Sequence, residues 1–235
     1  MADKKTMQGA DSGEVIIAKA KDFWDKNNKV IMTVCTVIIL LVGGFYVYKN
    51  FFRNPKETKA EDLIFKAEEY YRMDSLNKAL NGDGLYSGFI KVIEKYGSTK
   101  AGNRASYYAG VCYLKLDSNE KAIKYLKKFS SSAKQIQAQA YKMLGDAYGD
   151  LGKNKESLDY YKKAAYHFEK DEANSANYLF LASQIAQKMG DKAEAIKLLK
   201  DLKAKYPSQR GQDGNNYAQT ADNYLAQLGV YSTEE

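Results

Sequence analysis

The sequence predicts an all-α protein: one N-terminal transmembrane helix, then a solenoid of about four helical hairpins and a C-terminal capping helix. Three observations predict it. The 235 residues include only two prolines, and the β-branched runs between Gly/Pro turns that a sandwich or barrel needs are scarce after residue 50. Residues 30–48, VIMTVCTVIILLVGGFYVY, carry no charge. Beyond residue 60 the chain matches itself at the spacing of stacked helical hairpins.

The apolar run is the clearest single element. Fifteen of its 19 residues are apolar or aromatic, and Lys29 and Lys49 bound it. At helical rise it spans roughly 28 Å, close to the hydrocarbon thickness of a bilayer. Trp24 before it and Tyr46 and Tyr48 at its end suit the interfacial zones. A cleaved signal peptide would begin nearer the N-terminus, and the run continues past Gly43 and Gly44, the best cleavage candidates. Cys35 lies inside the run with MTV before it, which is not the setting of a lipoprotein cysteine. Lysine and arginine counts within 15 residues of either end are tied at four, so charge does not set orientation. A single N-terminal anchor usually exports the domain on its C-terminal side. The expected topology is therefore a cytoplasmic tail (1–29), an anchor (30–48), a linker (49–60) and an exported helical domain (61–235).

Within the tail, residues 1–13 read as disordered. Residues 14–28, EVIIAKAKDFWDKNN, place Ile16, Ala20, Phe23 and Trp24 on one helical face among lysines. That pattern fits a short amphipathic helix on the membrane surface or simply the aqueous end of the transmembrane helix.

In the exported part, a shift of 35 residues aligns Gly110 with Gly145, Tyr113 with Tyr148, Ala122 with Ser157 and Tyr125 with Tyr160. A further shift of 38 aligns Ser157 with Ala195 and Tyr161 with Leu199. Helices are expected at 60–80 and 85–96, 102–116 and 119–131, 137–151 and 154–168, and 174–189 and 192–205. A terminal helix at 213–228 would cap the stack with a polar outer face.

The residues at these positions resemble the tetratricopeptide (TPR) repeat. YKMLGDAYGDLGKNKESLDYYKKA (141–164) supplies Tyr141, Leu144, Gly145, Tyr148, Ser157, Tyr161 and Ala164 at the signature spacing. The unit at 103–129 supplies Ala109, Gly110, Tyr113, Ala122 and Leu126, with Phe129 where a small residue is usual. The unit at 176–207 keeps Ala182, Ala195, Leu199 and Pro207, with Ser183 where glycine is usual and Ala186 where tyrosine is usual. In such repeats the glycine lets two helices approach closely and the aromatic residues fill gaps between hairpins, so the tyrosines read as packing residues.

The stretch NGDGLYSG (81–88) looks at first like a ligand loop. A dinucleotide fingerprint would come after a strand, and Gly88 falls one residue late for it. A calcium loop centred on Gly84 would have Ala79 and Ile90 at its end positions, neither of which can ligate. The loop reads as a joint within the first hairpin, with Gly82 or Gly84 as a left-handed C-cap.

Catalytic chemistry is not supported. His167 is the single histidine, which removes a histidine triad or a histidine-based metal site, and YGSTKAG (96–102) lacks Walker spacing. No cofactor is implied. Cys35 and Cys112 both read as inert packing residues. The 36 basic residues against 29 acidic ones include only four arginines, which argues against nucleic acid. Lysine runs such as KAEAIKLLKDLKAK (192–205) alternate with acids and read as solvated faces.

An anchor followed by TPR units is similar to the membrane-anchored ancillary subunit of the bacterial Sec translocon. The runs DSLNKALNGDG and AGNRASYYAGVCYL look most like the form common in Bacteroidota. The resemblance implies a non-enzymatic scaffold or co-chaperone in the inner membrane with its repeats in the periplasm. Its implied partners are Sec translocon subunits, a membrane-anchored peptidyl-prolyl isomerase chaperone, or exported client proteins. The alternative is a structural scaffold of another envelope machine, for gliding, secretion or outer-membrane assembly.

The inner curve of such a stack is lined by the first helix of each repeat. That assigns a protein-binding groove to Arg104, Tyr107, Val111 and Lys115; to Gln139, Lys142, Asp146 and Asp150; and to Asn177, Phe180, Gln184 and Lys188. Repeats that clamp acidic C-termini need an asparagine where this chain has Asp146, so the mixed aromatic and charged lining points to a peptide or a partner helix instead.

Overall fold

The computed structural model describes residues 12–211 and 214–231. Eleven α-helices occur among them: α1 (Ser12–Val47), α2 (Asn54–Arg72), α3 (Leu76–Asn81), α4 (Phe89–Tyr96), α5 (Lys100–Lys115), α6 (Asn119–Leu126), α7 (Lys134–Asp150), α8 (Asn154–His167), α9 (Glu172–Lys188), α10 (Lys192–Lys205) and α11 (Tyr217–Gln227). The described residues contain no strand, only two isolated bridges, Gly82 with Ser87 and Arg210 with Asn216. The fold is all-α, as the sequence predicts.

The chain divides into two compact units at Pro55/Lys56. In the first, α1 leaves its large apolar side chains in the open, Ile39, Leu40 and Leu41 each being more than two-thirds exposed. A soluble core helix would bury such residues. Among the described residues one helix is long and apolar enough to cross a membrane, and this is it. The expectation of disorder over 1–13 falls mostly outside the described residues, although Ser12 and Gly13 already belong to α1. Residues 49–60, expected as a linker, are helical, with a π-helical turn at Tyr48–Arg53 leading into α2.

In the second unit four hairpins come in order: α2 with α3 and α4, then α5/α6, α7/α8 and α9/α10, and α11 last. One turn chemistry recurs at the end of every first helix. A Leu or Met is followed by a residue at positive φ: Asp74 (55°), Asp117 (52°), Gly152 (70°), Gly190 (76°) and, closing α11, Gly229 (83°). The next residue's N–H reaches back five residues, Ser75 to Tyr70, Ser118 to Tyr113, Lys153 to Tyr148, Asp191 to Ala186 and Val230 to Leu225, each at 2.8–2.9 Å. These are Schellman turns, which satisfy the last carbonyls of a helix while reversing the chain.

That turn corrects the expected 60–80 helix, which breaks at Met73–Ser75 because Asp74 adopts the left-handed conformation. The same turn closes α11, the last helix among the described residues, which packs on α10 and leaves Gln219, Asn223 and Gln227 exposed. Asn216 caps its N-terminus, the side-chain oxygen accepting from the N–H groups of Ala218 and Gln219.

Packing inside the hairpins follows the repeat register. A Cβ added at Gly110 would sit 2.5 Å from Leu126 Cγ, and one at Gly145 would sit 2.8 Å from Tyr161 Cδ1. Ser157 is fully buried and donates its hydroxyl to the Gly145 carbonyl at 2.8 Å, tying α8 to α7. Paired aromatics fill the spaces beside the hairpin turns, with Tyr113 stacked on Tyr125 and Tyr148 on Tyr160, both at 5.4 Å. Cys112 is fully buried and its thiol is pushed up to about 12 by desolvation, so it packs and does not react.

The NGDGLYSG stretch joins α3 to α4, as a hinge rather than a cradle. Asp83 folds the loop on itself, its carboxylate accepting from the N–H groups of Leu85 and Tyr86 and from Tyr70 Oη at 2.6 Å. Gly82 caps α3, but at φ 86°, ψ −174° it occupies the extended positive-φ region open to glycine alone, not the expected left-handed helical one. A Cβ there would lie 2.2 Å from the Tyr86 carbonyl oxygen. Gly82→Ala should therefore destabilise the protein by about 1–3 kcal/mol, whereas Gly152→Asn, at a left-handed position with open space around it, should cost only a few tenths of a kcal/mol. Urea unfolding of the two variants checks the contrast.

Candidate functional site

The expected groove residues all lie on first helices, α5, α7 and α9, yet several are already engaged. Arg104 on α5 reaches back to α2. Its Nη1 and Nη2 donate to the two oxygens of Glu61 at 3.0 and 2.7 Å, and its Nε donates to Glu68 at 3.1 Å. The fork is bidentate, so the guanidinium is held more firmly charged, and Glu61 is held below the usual carboxylate range mainly by that hydrogen bond. Lys115 bridges to Asp74 at 2.8 Å, next to the first Schellman turn. Arg104 and Lys115 thus clamp the first hairpin to the second instead of standing free for a partner.

Tyr107 is also less open than the sequence suggests. Its ring lies 4.9 Å from Phe129 and 5.7 Å from Tyr108, and burial pushes its hydroxyl up to about 12. It lines a cleft of about 480 Å³ together with Lys100, Asn103, Arg104, Phe129 and Ile136. Phe129, which departs from the repeat signature, is nine-tenths buried and forms the apolar wall opposite Tyr107. Its size in place of a small residue is the signal of the cleft.

Asp146 is committed twice. It pairs with Lys142 one turn away at 2.8 Å and accepts the Tyr161 hydroxyl at 2.7 Å. Burial first, and then the neighbouring carboxylate, push the Tyr161 hydroxyl far up. Asp146 therefore acts as a brace between α7 and α8. Val111 is half-buried, and Gln139, Asp150 and Lys188 are exposed. None of these four lines the Tyr107 cleft or the larger one beside α11.

The remaining groove residues do come together. Lys142, Asn177, Phe180 and Gln184 line an open cleft of about 840 Å³ whose far wall is α11, through Tyr217, Asn223, Tyr224 and Gln227. Phe180 sits 5.4 Å edge-on to Tyr224 and 5.8 Å from Tyr217, and Tyr217 donates its hydroxyl to Asn177 Oδ1 at 3.2 Å. The cleft is an aromatic floor rimmed by side-chain amides, with one lysine at its edge. Amides both donate and accept, as the backbone of an extended peptide requires. The sequence suggests no more than a cap for α11. Its available signal is the three- and four-residue spacing of Tyr217, Thr220, Tyr224 and Gln227, which puts tyrosines and an amide on one helical face.

A stack of helical hairpins in this register is a helical-repeat solenoid. More narrowly, the tetratricopeptide repeat pattern matches residues 104–133, 138–166 and 178–208. Those residues form tetratricopeptide repeats within the all-α solenoid, and such repeats make protein-binding scaffolds. Among solved structures, a crystal structure of MamA protein is 17% identical to the chain, covers 74% of it and 90% of its own length, and superposes with a TM-score of 0.45. A comparison with curated proteins gave no match.

The buried hydroxyls give this part of the molecule a definite pH signature. Tyr107 and Tyr178 are each held near 12 by burial, whereas in the unfolded chain they ionise near 10. The native state therefore keeps protons that the unfolded chain releases. The stability from these groups is complete below about pH 10 and is lost as pH rises toward 12. Thermal melts from pH 8 to 12 should show Tm falling above pH 10, and Tyr107→Phe should flatten that alkaline limb while leaving Tm at pH 7 within a few degrees.

Proposed function

We propose that the protein is a non-enzymatic scaffold or co-chaperone, held in the bacterial inner membrane by α1, with its TPR unit in the periplasm serving Sec-dependent export. The observation that carries the reading is the pairing of an exposed apolar helix with an open, amide-rimmed TPR cleft in one chain. The anchor keeps the cleft at the membrane, where a polypeptide leaving the translocon is extended and presents unpaired backbone groups. Phe180 and Tyr224 supply apolar contact, and Asn177, Gln184, Asn223 and Gln227 supply hydrogen bonds that read backbone rather than sequence. Sec subunits and a membrane-anchored peptidyl-prolyl isomerase chaperone are the proposed neighbours, as the anchor-plus-repeat arrangement implies.

A photo-crosslinking amino acid at Gln184 or Asn223, in intact cells, tests this. Adducts with exported polypeptides, the chaperone or Sec subunits are expected, and Gln184→Arg with Asn223→Arg should weaken capture at least tenfold, the loss of about one to two interface anchors. A reporter active only outside the cytoplasm, fused at the C-terminus, should be active. A normally folded protein that crosslinks to none of these partners, or an inactive reporter on a stable fusion, would overturn the reading.

A further inference from the structure

The net charge of the second unit is not spread evenly. The first helices of the hairpins, α2, α5, α7 and α9, are nearly balanced, with ten basic against eight acidic residues. The second helices, α4, α6, α8 and α10, carry twelve lysines against six carboxylates, and Lys127 and Lys128 come directly after α6. Two of those six carboxylates are taken within the face itself. Glu194 pairs with Lys162, and Asp201 accepts the Tyr166 hydroxyl at 2.7 Å.

Lys203 and Lys205 on α10 are paired with Asp222 and Glu169, and the other lysines stand over aromatic rings or in the open. Lys124 and Lys128 flank the Tyr125 ring at 5.5 and 5.4 Å, Lys127 lies over Tyr148 at 5.3 Å, and Lys163 lies over Tyr160 at 4.9 Å. Lys124, Lys128, Lys155, Lys163, Lys197 and Lys200 are all exposed, and none is within ion-pair distance of a carboxylate among the described residues. An ordinary solvated face, as 192–205 reads by itself, does not account for an excess that builds across four helices. The end of α6 joins α8 through Lys127 over Tyr148, whose ring stacks on Tyr160, and Lys162 and Tyr166 on α8 reach Glu194 and Asp201 on α10, so the lysines of α6, α8 and α10 share one surface.

We propose that this lysine and tyrosine face, opposite in role to the amide-rimmed cleft, docks on the anionic phospholipid surface of the membrane that α1 crosses. The chemistry favours headgroups over other polyanions. Lysine is a compact charge on a flexible stem, suited to a fluid array of phosphates, whereas discrete phosphate or base recognition uses arginine's planar fork. No arginine occurs on α4, α6, α8 or α10. Tyrosine beneath the ammonium groups matches the amphipathic rings of the interfacial zone. A tethered domain stays at high local concentration near the bilayer, so modest attraction per lysine is enough to orient it. Docking on this face would leave the cleft free for polypeptide. The inference rests on α1 being an anchor.

The test uses the full chain reconstituted into liposomes of phosphatidylcholine alone or with phosphatidylglycerol. Flotation reports anchoring in either lipid. Acetylation by an amine-reactive ester, read by mass spectrometry, reports the face. Lys155, Lys163, Lys197 and Lys200 should label at least about threefold more slowly on the anionic vesicles, and salt near 0.5 M should restore the rate as screening shortens. Lys134 and Lys188 on the first helices serve as internal references and should not change. Charge reversal at Lys124 and Lys128 (K124E, K128E) should reduce the protection of the other four. Equal labelling on both vesicles, with the protein floating, overturns the docking surface and leaves the anchor standing. A chain that does not float overturns the anchor and the docking surface together. Protection that needs added polyglutamate, and not anionic lipid, overturns the lipid assignment in favour of an acidic protein partner.

Discussion

The structure depends on how closely the two helices of each hairpin approach. At Gly110 and Gly145 there is no room for even a methyl group, because Leu126 and Tyr161 of the opposing helices occupy the space. In the last hairpin Ser183 takes the same position, fully buried, and its hydroxyl bonds to the Phe180 carbonyl at 2.7 Å within its own helix. That internal bond lets serine replace glycine without leaving a buried polar group unsatisfied. Helix separation sets the angle between hairpins, and the angle sets which side chains of the first helices face one another. The bridge from Arg104 to Glu61 and Glu68, the brace from Asp146 to Tyr161 and the cleft beneath α11 all depend on it.

Much of this is legible in the sequence, because the constraint is written as residue size at fixed spacing. Gly110, Gly145, Ala122 and Ser157 mark the contact, and the apolar run at 30–48 is unmistakable by length and composition. The helix break at Asp74 is harder to read, although its signal is there. MDS at 73–75 repeats LDS at 116–118, and both correspond to LGK, MGD and LGV at the later turns. Aspartate hides the left-handed position that glycine advertises, and the helical period runs straight through it. The helicity of 49–60 escapes for a different reason. RNPKETKAE is polar without a repeat partner and Pro55 reads as a breaker, yet it sits in the first turn of α2, directly after the π-helical turn Tyr48–Arg53.

The groove is legible as a face and not as a set of free side chains. Spacing places Arg104, Tyr107 and Asp146 on the first helices, but only the folded chain brings α2, Phe129 and Tyr161 against them. Charged residues on a solenoid's inner side have two uses, joining neighbouring repeats and meeting partners, and a one-dimensional pattern does not separate them. Here the N-terminal half of the face is given over to joining. The C-terminal half, where α11 leaves a gap against α9, stays open.

The steric contact at the hairpin centre carries the rest of the structure, and a double-mutant cycle tests it most directly. Gly145→Ala and Tyr161→Ala, singly and together, would be measured by urea unfolding of the full chain in detergent. If the methyl at position 145 collides with the Tyr161 ring, Gly145→Ala should cost about 1–3 kcal/mol alone. Most of that cost should vanish once the ring is gone, giving a coupling of at least about 1 kcal/mol. Additivity within about 0.5 kcal/mol would contradict the claim, because the two helices would then not meet where the repeat register puts them.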